Sequence, residues 1–267
     1  MERFRHYFGG HLRSFRADEG LRLSEVDYTS KKCSPHTHAW PFFALLLRGH
    51  YLENFRDRQL SYRAFDLGFH PETTRHDDQI EDGARFFLVE LDEEWLRRVR
   101  EYDPSAAREP RMCAPRDALV ASRLYHEHRS SGTHWPLLTE ALVLELVAGL
   151  LPDDGRRRRD RPRWLRIVLE LLEDEPPRRL SLSAVAREVG LHPVYVSRAF
   201  RELTGQTFSE SLKQLRVRYA VRKLAATDAP LVEIALAAGF ADQSHFTRVF
   251  KRETGTTPAA FRKTSGG

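Results

Sequence analysis

The sequence predicts an α+β protein: an N-terminal β-sandwich or barrel with trailing helices, followed by an all-α part containing two helix-turn-helix units. Three observations carry this expectation. Short apolar runs separated by turn residues fill the first third of the chain, and helical periodicity follows them. A breaker-rich, arginine-rich stretch, "LPDDGRRRRDRPRW", then interrupts regular structure. After Trp164 no strand pattern remains, and the helical part repeats itself.

In order along the chain, Leu21 and Leu23 alternate with Arg22 and Ser24, as on a half-buried strand. "FFALLLRG" is an apolar strand stopped by Gly49, and "ARFFLVEL" is another. Turn chemistry recurs at Asp66-Leu67-Gly68, His70-Pro71 and Asp82-Gly83. Helices are expected at Asp92–Arg100, Arg116–His128 and Pro136–Leu151. The last is apolar nearly all round and must be covered on most faces, by the chain's own core or by a second subunit. The expected domains are therefore 1–151, an arginine-rich linker at 152–163, and 164–267.

Charge divides the chain in the same place. Residues 1–155 carry a net charge of −5, whereas 156–163 and 164–267 carry +5 each. The basic half suits a polyanion, and the acidic half would be repelled by one. Cys33 and Cys113 are the only cysteines, which excludes a disulfide framework and a thiolate zinc site. No signal-type apolar leader is present, and Leu137–Leu151 contains Glu140 and Glu145 and is too short to span a bilayer. A cytoplasmic protein with no membrane partner is expected.

The helical half begins with "WLRIVLELLEDE", ended by Pro176-Pro177. Ser181 caps the next helix, His192-Pro193 opens a third, and Thr207 opens a long one closed by Asp228 and Pro230. "AREVGLHPVYVSRAFRELTGQTF" then matches "ALAAGFADQSHFTRVFKRETGTTP". Ala186/Gly190 pair with Ala235/Gly239 at an offset of 49, and Val196, Arg198, Phe200, Thr204 and Gly205 pair with Phe246, Arg248, Phe250, Thr254 and Gly255 at an offset of 50. Each unit is helix, glycine turn, helix. Val196/Phe200 and Phe246/Phe250 are i, i+4 pairs that seat the second helix of each unit. That leaves Val194, Tyr195, Ser197 and Arg198, and Gln243, Ser244, Thr247 and Arg248, to face outwards. Gln and Arg form bidentate bonds with adenine and guanine edges, and Ser and Thr serve bases or phosphates.

These residues resemble the AraC family of transcription regulators over about 164–265, with "EIALAAGF…SHFTRVFKRETGTTPAAFR" close to the family signature. The resemblance implies double-stranded DNA as partner, with both second helices in adjacent major-groove segments of one face. The apolar stretch Leu137–Leu151 is expected to form the contact of a homodimer, and RNA polymerase is a further expected partner if the output is activation. One departure stands out: a serine commonly caps the first recognition helix, and His192 occupies that place.

The front half is similar to the cupin-type sensory domain of many such regulators, through "HTHAWPFFALLLRG" and "FHPETTRH". His36 and His38 share a strand face and His76 returns beside them, so the three suit zinc, iron or copper. The carboxylate of a cupin metal motif would fall at Phe42 or Phe43, however. Three readings therefore stand: a pocket of His36, His38, Trp40, Phe43 and His76 for a small organic effector, a metal site, or structural histidines. The expectation taken forward is a small-molecule effector with no cofactor. Enzyme readings fare worse. A metal oxygenase lacks its carboxylate, a cysteine-based DNA-repair transferase lacks a cysteine cluster, and no phosphate loop, metalloprotease helix or Gly-x-Ser-x-Gly elbow occurs. A non-specific DNA architectural protein would not need two matched recognition helices.

Overall fold

The computed structural model describes residues 10–18, 20–103, 107–130, 135–151, 162–173 and 180–266, and the chain divides into two compact units, 1–151 and 152–267. Most of the expected linker, 152–161, and Pro176-Pro177 lie outside the described residues.

The first unit is built on strands β1 (His11–Asp18), β2 (Leu21–Tyr28), β3 (Lys31–His36), β4 (Phe42–Asn54), β5 (Gln59–Arg63), β6 (Leu67–His70), β7 (His76–Leu91) and β8 (Arg111–Met112). They pair antiparallel in the order β1-β2-β7-β4-β6-β8, with β3 added to β7 and β5 to β4. The path ends at β1 and β8, so the sheet does not close into a barrel. Instead β4 and β7, the two longest strands, bend. Their pairing shifts register between Leu46 and Arg48 and again between Gly49 and Tyr51. Gly49 has φ 98°, and a Cβ there would collide with the carbonyl oxygen of Gly83. Only glycine fits this bulge.

The bend makes two corrections to the expected turns. Asp82-Gly83 lies inside β7, with Gly83 at φ 84°, and reverses nothing. The reversal before β6 comes at Ala64–Phe65, leaving Leu67 and Gly68 in the strand. Phe65 is buried at φ 70°, so packing overrides the usual preference for glycine in a left-handed position. The alternation expected in β2 also fails after Leu23, because Ser24 and Glu25 are both buried.

Strand β4 is covered on both faces, which explains its unbroken apolar run. Phe42, Ala44 and Leu46 share a cluster with Tyr51, Tyr62, Ile80 and Phe86 on the inside of the bend. Phe43 turns to the other face and meets Phe69 with ring centres 5.1 Å apart. Phe87 meets Tyr125 and His128 of a helix, each at 5.3 Å. The helices of this unit are α1 (Glu93–Tyr102), α2 (Pro115–Arg129) and α3 (Trp135–Ala148). Asp92 caps α1 by accepting from the backbone N–H groups of Glu94 and Trp95. α3 packs on α2 and buries Leu142, Val143, Leu146 and Val147, while Leu137 and Leu144 remain 74% and 41% exposed.

The described part of the second unit is helical: α4 (Arg163–Glu173), α5 (Leu182–Glu188), α6 (Pro193–Thr204), α7 (Phe208–Ala226), α8 (Leu231–Ala237), α9 (Gln243–Thr254) and α10 (Pro258–Gly266). Leu165, Val168 and Leu172 of α4 form one core with Val185, Phe200, Phe208 and Leu215. Phe246, Phe250 and Phe261 form the aromatic centre of the other, with successive ring centres 5.4 and 5.6 Å apart. α7 packs against helices of both groups and joins them. Its start is fixed by a capping box, in which Thr207 and Glu210 satisfy each other's backbone N–H groups. No described helix is long and apolar enough to cross a membrane.

Candidate nucleic-acid interface and ligand pocket

The sequence repeat recurs at the level of single hydrogen bonds. After α5, Leu191 N donates to Ala186 O at 2.9 Å and Gly190 N to Arg187 O at 3.1 Å. After α8, Phe240 N donates to Ala235 O and Gly239 N to Leu236 O, both at 3.0 Å. This is the Schellman ending, and it requires the left-handed backbone that Gly190 (φ 67°) and Gly239 (φ 86°) supply. Fully buried Ala186 and Ala235 sit where the paired helices meet. The ends of α6 and α9 also match. Thr204 Oγ1 donates toward the carbonyl oxygens of Phe200 and Gln206, and Thr254 Oγ1 toward those of Phe250 and Thr256.

The two α6/α9 starts differ chemically but serve the same purpose. Asp242 accepts from His245 N at 2.7 Å. His192 accepts from Val194 N through Nδ1 at 3.3 Å, so the histidine found in place of serine still caps α6. Val196/Phe200 and Phe246/Phe250 are fully buried. Val194 and Tyr195 are 69% and 54% exposed, and Gln243, Ser244 and Arg248 are exposed. Ser197 and Thr247 are half-buried at equivalent positions. Three of these side chains already have partners. The Tyr195 ring meets Trp164 edge-on at 6.1 Å, Arg198 Nε donates to Glu202 Oε1 at 2.9 Å, and Thr247 Oγ1 donates to Gln243 O at 2.8 Å.

Beside α9, His245, Arg248 and Arg252 line a cleft with Lys213 and Arg216 of α7. Sequence reasoning did not single out His245, Lys213, Arg216 or Arg252. Only packing brings a long connecting helix alongside α9, although the basic composition of "KQLRVR" was a signal.

A family described as "Helix-turn-helix domain" matches residues 185–264. The regulatory protein SoxS of Salmonella typhimurium is 33% identical over 98 residues, which cover 37% of this chain and 92% of SoxS. The chain belongs to the AraC family of transcription regulators. The likeness to other regulators of transcription extends further along the chain. The activator RhaR of Cronobacter sakazakii is 26% identical over 90% of both chains. GlxA of Rhizobium meliloti is 34% identical over 56% of this chain, and the aligned part spans only 45% of GlxA. As in that family, the second unit carries a helix-turn-helix DNA-binding domain.

The first unit of this AraC-family chain holds a pocket inside the bent sheet. Its wall includes Cys33, His36, His38, Phe42, Tyr51, His70, His76 and Asp78, and its volume is about 70 Å³. His36 pairs in register with His76, whereas His38 lies just beyond the end of β3. Their rings nonetheless gather: His36 to His76 at 4.5 Å, His36 to His38 at 5.0 Å and His38 to His76 at 5.2 Å. Trp40 and Phe43 are not part of this wall. Trp40 stands under the Arg22 guanidinium at 5.1 Å, and the two-residue period of β4 gives the pocket Phe42 in place of Phe43.

The wall residues His70 and Asp78 escaped sequence reasoning, as did Glu53, which is buried behind His70 and His76. Phe42 stacks on His70 at 4.4 Å, and Glu53 pairs across to Asp78. Even-numbered residues of β4 face inward before the bulge, and Tyr51 and Glu53 do so after it. A bulge reverses facing parity, and no local pattern announces it. Tyr51 donates to Asp78 Oδ1 at 2.7 Å. Burial raises the Asp78 carboxyl and lowers His76, so the neutral imidazole is favoured there. Burial also pushes the Cys33 thiol up, which argues against a reactive thiolate.

Proposed function

We propose that the chain is a sequence-specific regulator of transcription whose DNA binding responds to a small ligand held in the first unit. Residues 1–151 would sense, 164–267 would bind DNA, and 152–163 would link them. The observation that carries the reading is the hydrogen-bond-level repeat, which presents two helices by the same scaffold with polar side chains outward. Arg248, Gln243, Ser244 and Thr247 would read base edges in one major-groove segment. In the other, Arg198 and Ser197 would do so, with Val194 and Tyr195 making apolar contacts to thymine methyls. Two segments a helical turn apart on one face would then form the half-site.

The same reading makes the protein a cytoplasmic non-enzyme that works as a homodimer and, where it activates, contacts RNA polymerase. The exposed leucines of α3 are the surface proposed for the second copy. Selection of binding sequences from random DNA by the purified chain, followed by hydroxyl-radical footprinting, tests the DNA reading. Two protected groove segments about 10 base pairs apart are expected. Protection without any enriched sequence would overturn it.

A further inference from the structure

Among its described residues the first unit buries two glutamates, Glu25 and Glu53, and they are treated differently. Glu25 lies 3.5 Å from Arg13, 3.8 Å from Arg85 and 3.1 Å from Arg129, so its charge is well compensated. Glu53 is fully buried beside His70 and His76, two residues of the pocket wall, and no Lys or Arg pairs with it among the described residues. A buried carboxylate without a counter-charge is strongly disfavoured. The groups that approach it are imidazoles: His70 Nδ1 at 2.9 Å and His76 Nε2 at 3.6 Å from Glu53 Oε1.

These contacts are not hydrogen bonds. His70 Nδ1 does not direct a hydrogen onto the oxygen despite the short separation, and neither oxygen of Glu53 has a well-aligned donor among the described residues. Burial, the Glu53 charge and a side-chain hydrogen bond with Glu53 all raise the pKa of the Tyr62 hydroxyl, although that contact falls short of full hydrogen-bond geometry. His76 Nδ1, by contrast, donates to the Thr74 carbonyl at 3.0 Å, which turns its Nε2 lone pair toward Glu53. Metal-bound imidazoles are held by such a second partner. Atoms bound about 2.0–2.2 Å from one ion stand roughly 3–3.5 Å from each other. The observed 2.9 and 3.6 Å are close to that range. Glu53, His70 and His76 each place a donor atom within 4.8 Å of the other two, and His36, His38 and His76 do the same on the side toward the opening.

We infer that Glu53, His70 and His76 bind one divalent transition-metal ion of the zinc class where His70 and His76 line the pocket, with His36 and His38 bordering its remaining coordination positions. The inference rests on the reading of this pocket as the ligand site, and it names the ligand. Two imidazoles with one carboxylate favour such ions over magnesium or calcium. A volume of about 70 Å³ admits an ion with a water or two, whereas organic ligands need several hundred Å³. The carboxylate missing from its expected place near Phe42 is supplied from beyond the bulge.

The test uses the untagged full-length chain, stripped with a chelator and titrated with Zn²⁺ or Co²⁺ by calorimetry and visible absorption, with Mg²⁺ as control. One ion per chain is expected, with Co²⁺ bands showing nitrogen ligation. Glu53→Gln and His70→Gln should each weaken binding at least tenfold, as should His76→Gln, while His50→Gln outside the pocket changes nothing. A wild-type chain that takes up no Zn²⁺ below millimolar concentration overturns the inference whether or not the variants fold. Uptake that survives folded Glu53→Gln and His70→Gln within threefold overturns it equally. DNA binding of the same samples separates the two readings. Stoichiometric zinc with no change in DNA affinity counts against control of DNA by this pocket and leaves the site standing. No zinc, together with DNA binding that responds to an organic ligand, removes the site and leaves control standing.

Discussion

Arg198 and Arg248 occupy equivalent positions in the two repeats but start from different states. The Arg198 side chain is 83% exposed and paired with Glu202, whereas Arg248 makes no such pair among the described residues. Arg248→Ala is expected to cost about 1–3 kcal/mol at a selected DNA site and to relax preference at one base pair, measured as the ratio of specific to random-DNA affinity. Glu202→Gln frees Arg198 from an exposed pair worth at most about 1 kcal/mol, so DNA affinity should rise by no more than a few-fold. His128 makes a different kind of prediction. Burial, reinforced by Arg16 and Arg129, pushes its pKa down to about 4. The unfolded chain takes up this proton near pH 6.5, so between about 6.5 and 4 the unfolded state binds more protons. Stability of the first unit should therefore fall as pH drops through that window, by up to about 3 kcal/mol. His128→Gln should flatten part of the slope in urea titrations at pH 7 and 4.5. His76, shifted in the same direction, contributes with the same sign, whereas the raised Asp78 and Asp117 carboxyls contribute with the opposite one.

Among the elements, β4 shows how one backbone irregularity positions a site. Its inner face passes from Phe42, Ala44 and Leu46 to Tyr51 and Glu53 because β4 carries one more residue than β7 between Leu46 and Arg48. Gly49→Ala would place a methyl against the Gly83 carbonyl in a left-handed conformation. The expected cost is about 2 kcal/mol or more, read as a lower urea midpoint for the first unit, with intrinsic DNA binding by the second unchanged. The helix α3 carries a second lesson. Its apolar residues were expected to need cover on most sides, and the structure buries Leu142 and Val147 within the chain's own core. A probe of self-association therefore belongs at Leu137 and Leu144. Replacing both with Asp should yield a folded monomer in sedimentation and weaken binding to paired DNA sites through lost effective concentration. A folded double variant that remains dimeric would place the interface elsewhere.

For the whole molecule, the division of charge and the division of cores coincide near residue 151. The second unit has two apolar centres joined by α7, so residues 152–267 alone should fold and bind DNA. Binding should weaken steeply with salt as Lys and Arg displace condensed counterions, and residues 1–151 alone should not bind. Tight, salt-sensitive binding by the acidic fragment would contradict this division of labour.

The sequence by itself determined the parts governed by local rules. The repeat, its glycine turns, the caps at Ser181 and Thr207 and the seating of Phe246 and Phe250 all depend on residues within one or two helical turns, so spacing reveals them. Histidine gathering was half legible: His36 and His76 pair across their strands as expected, but His38 joins them from beyond the end of β3, and Trp40 and Phe43 could not be assigned a face without the strand's register. Only the tertiary structure decided that Glu53 and His70 join them. Glu53 reaches the pocket through a bulge that reverses which side of β4 faces inward, and His70 through pairing of β6 with Phe42 on β4. Long-range pairing sets both, and residues far apart along the chain meet only when the whole sheet has formed.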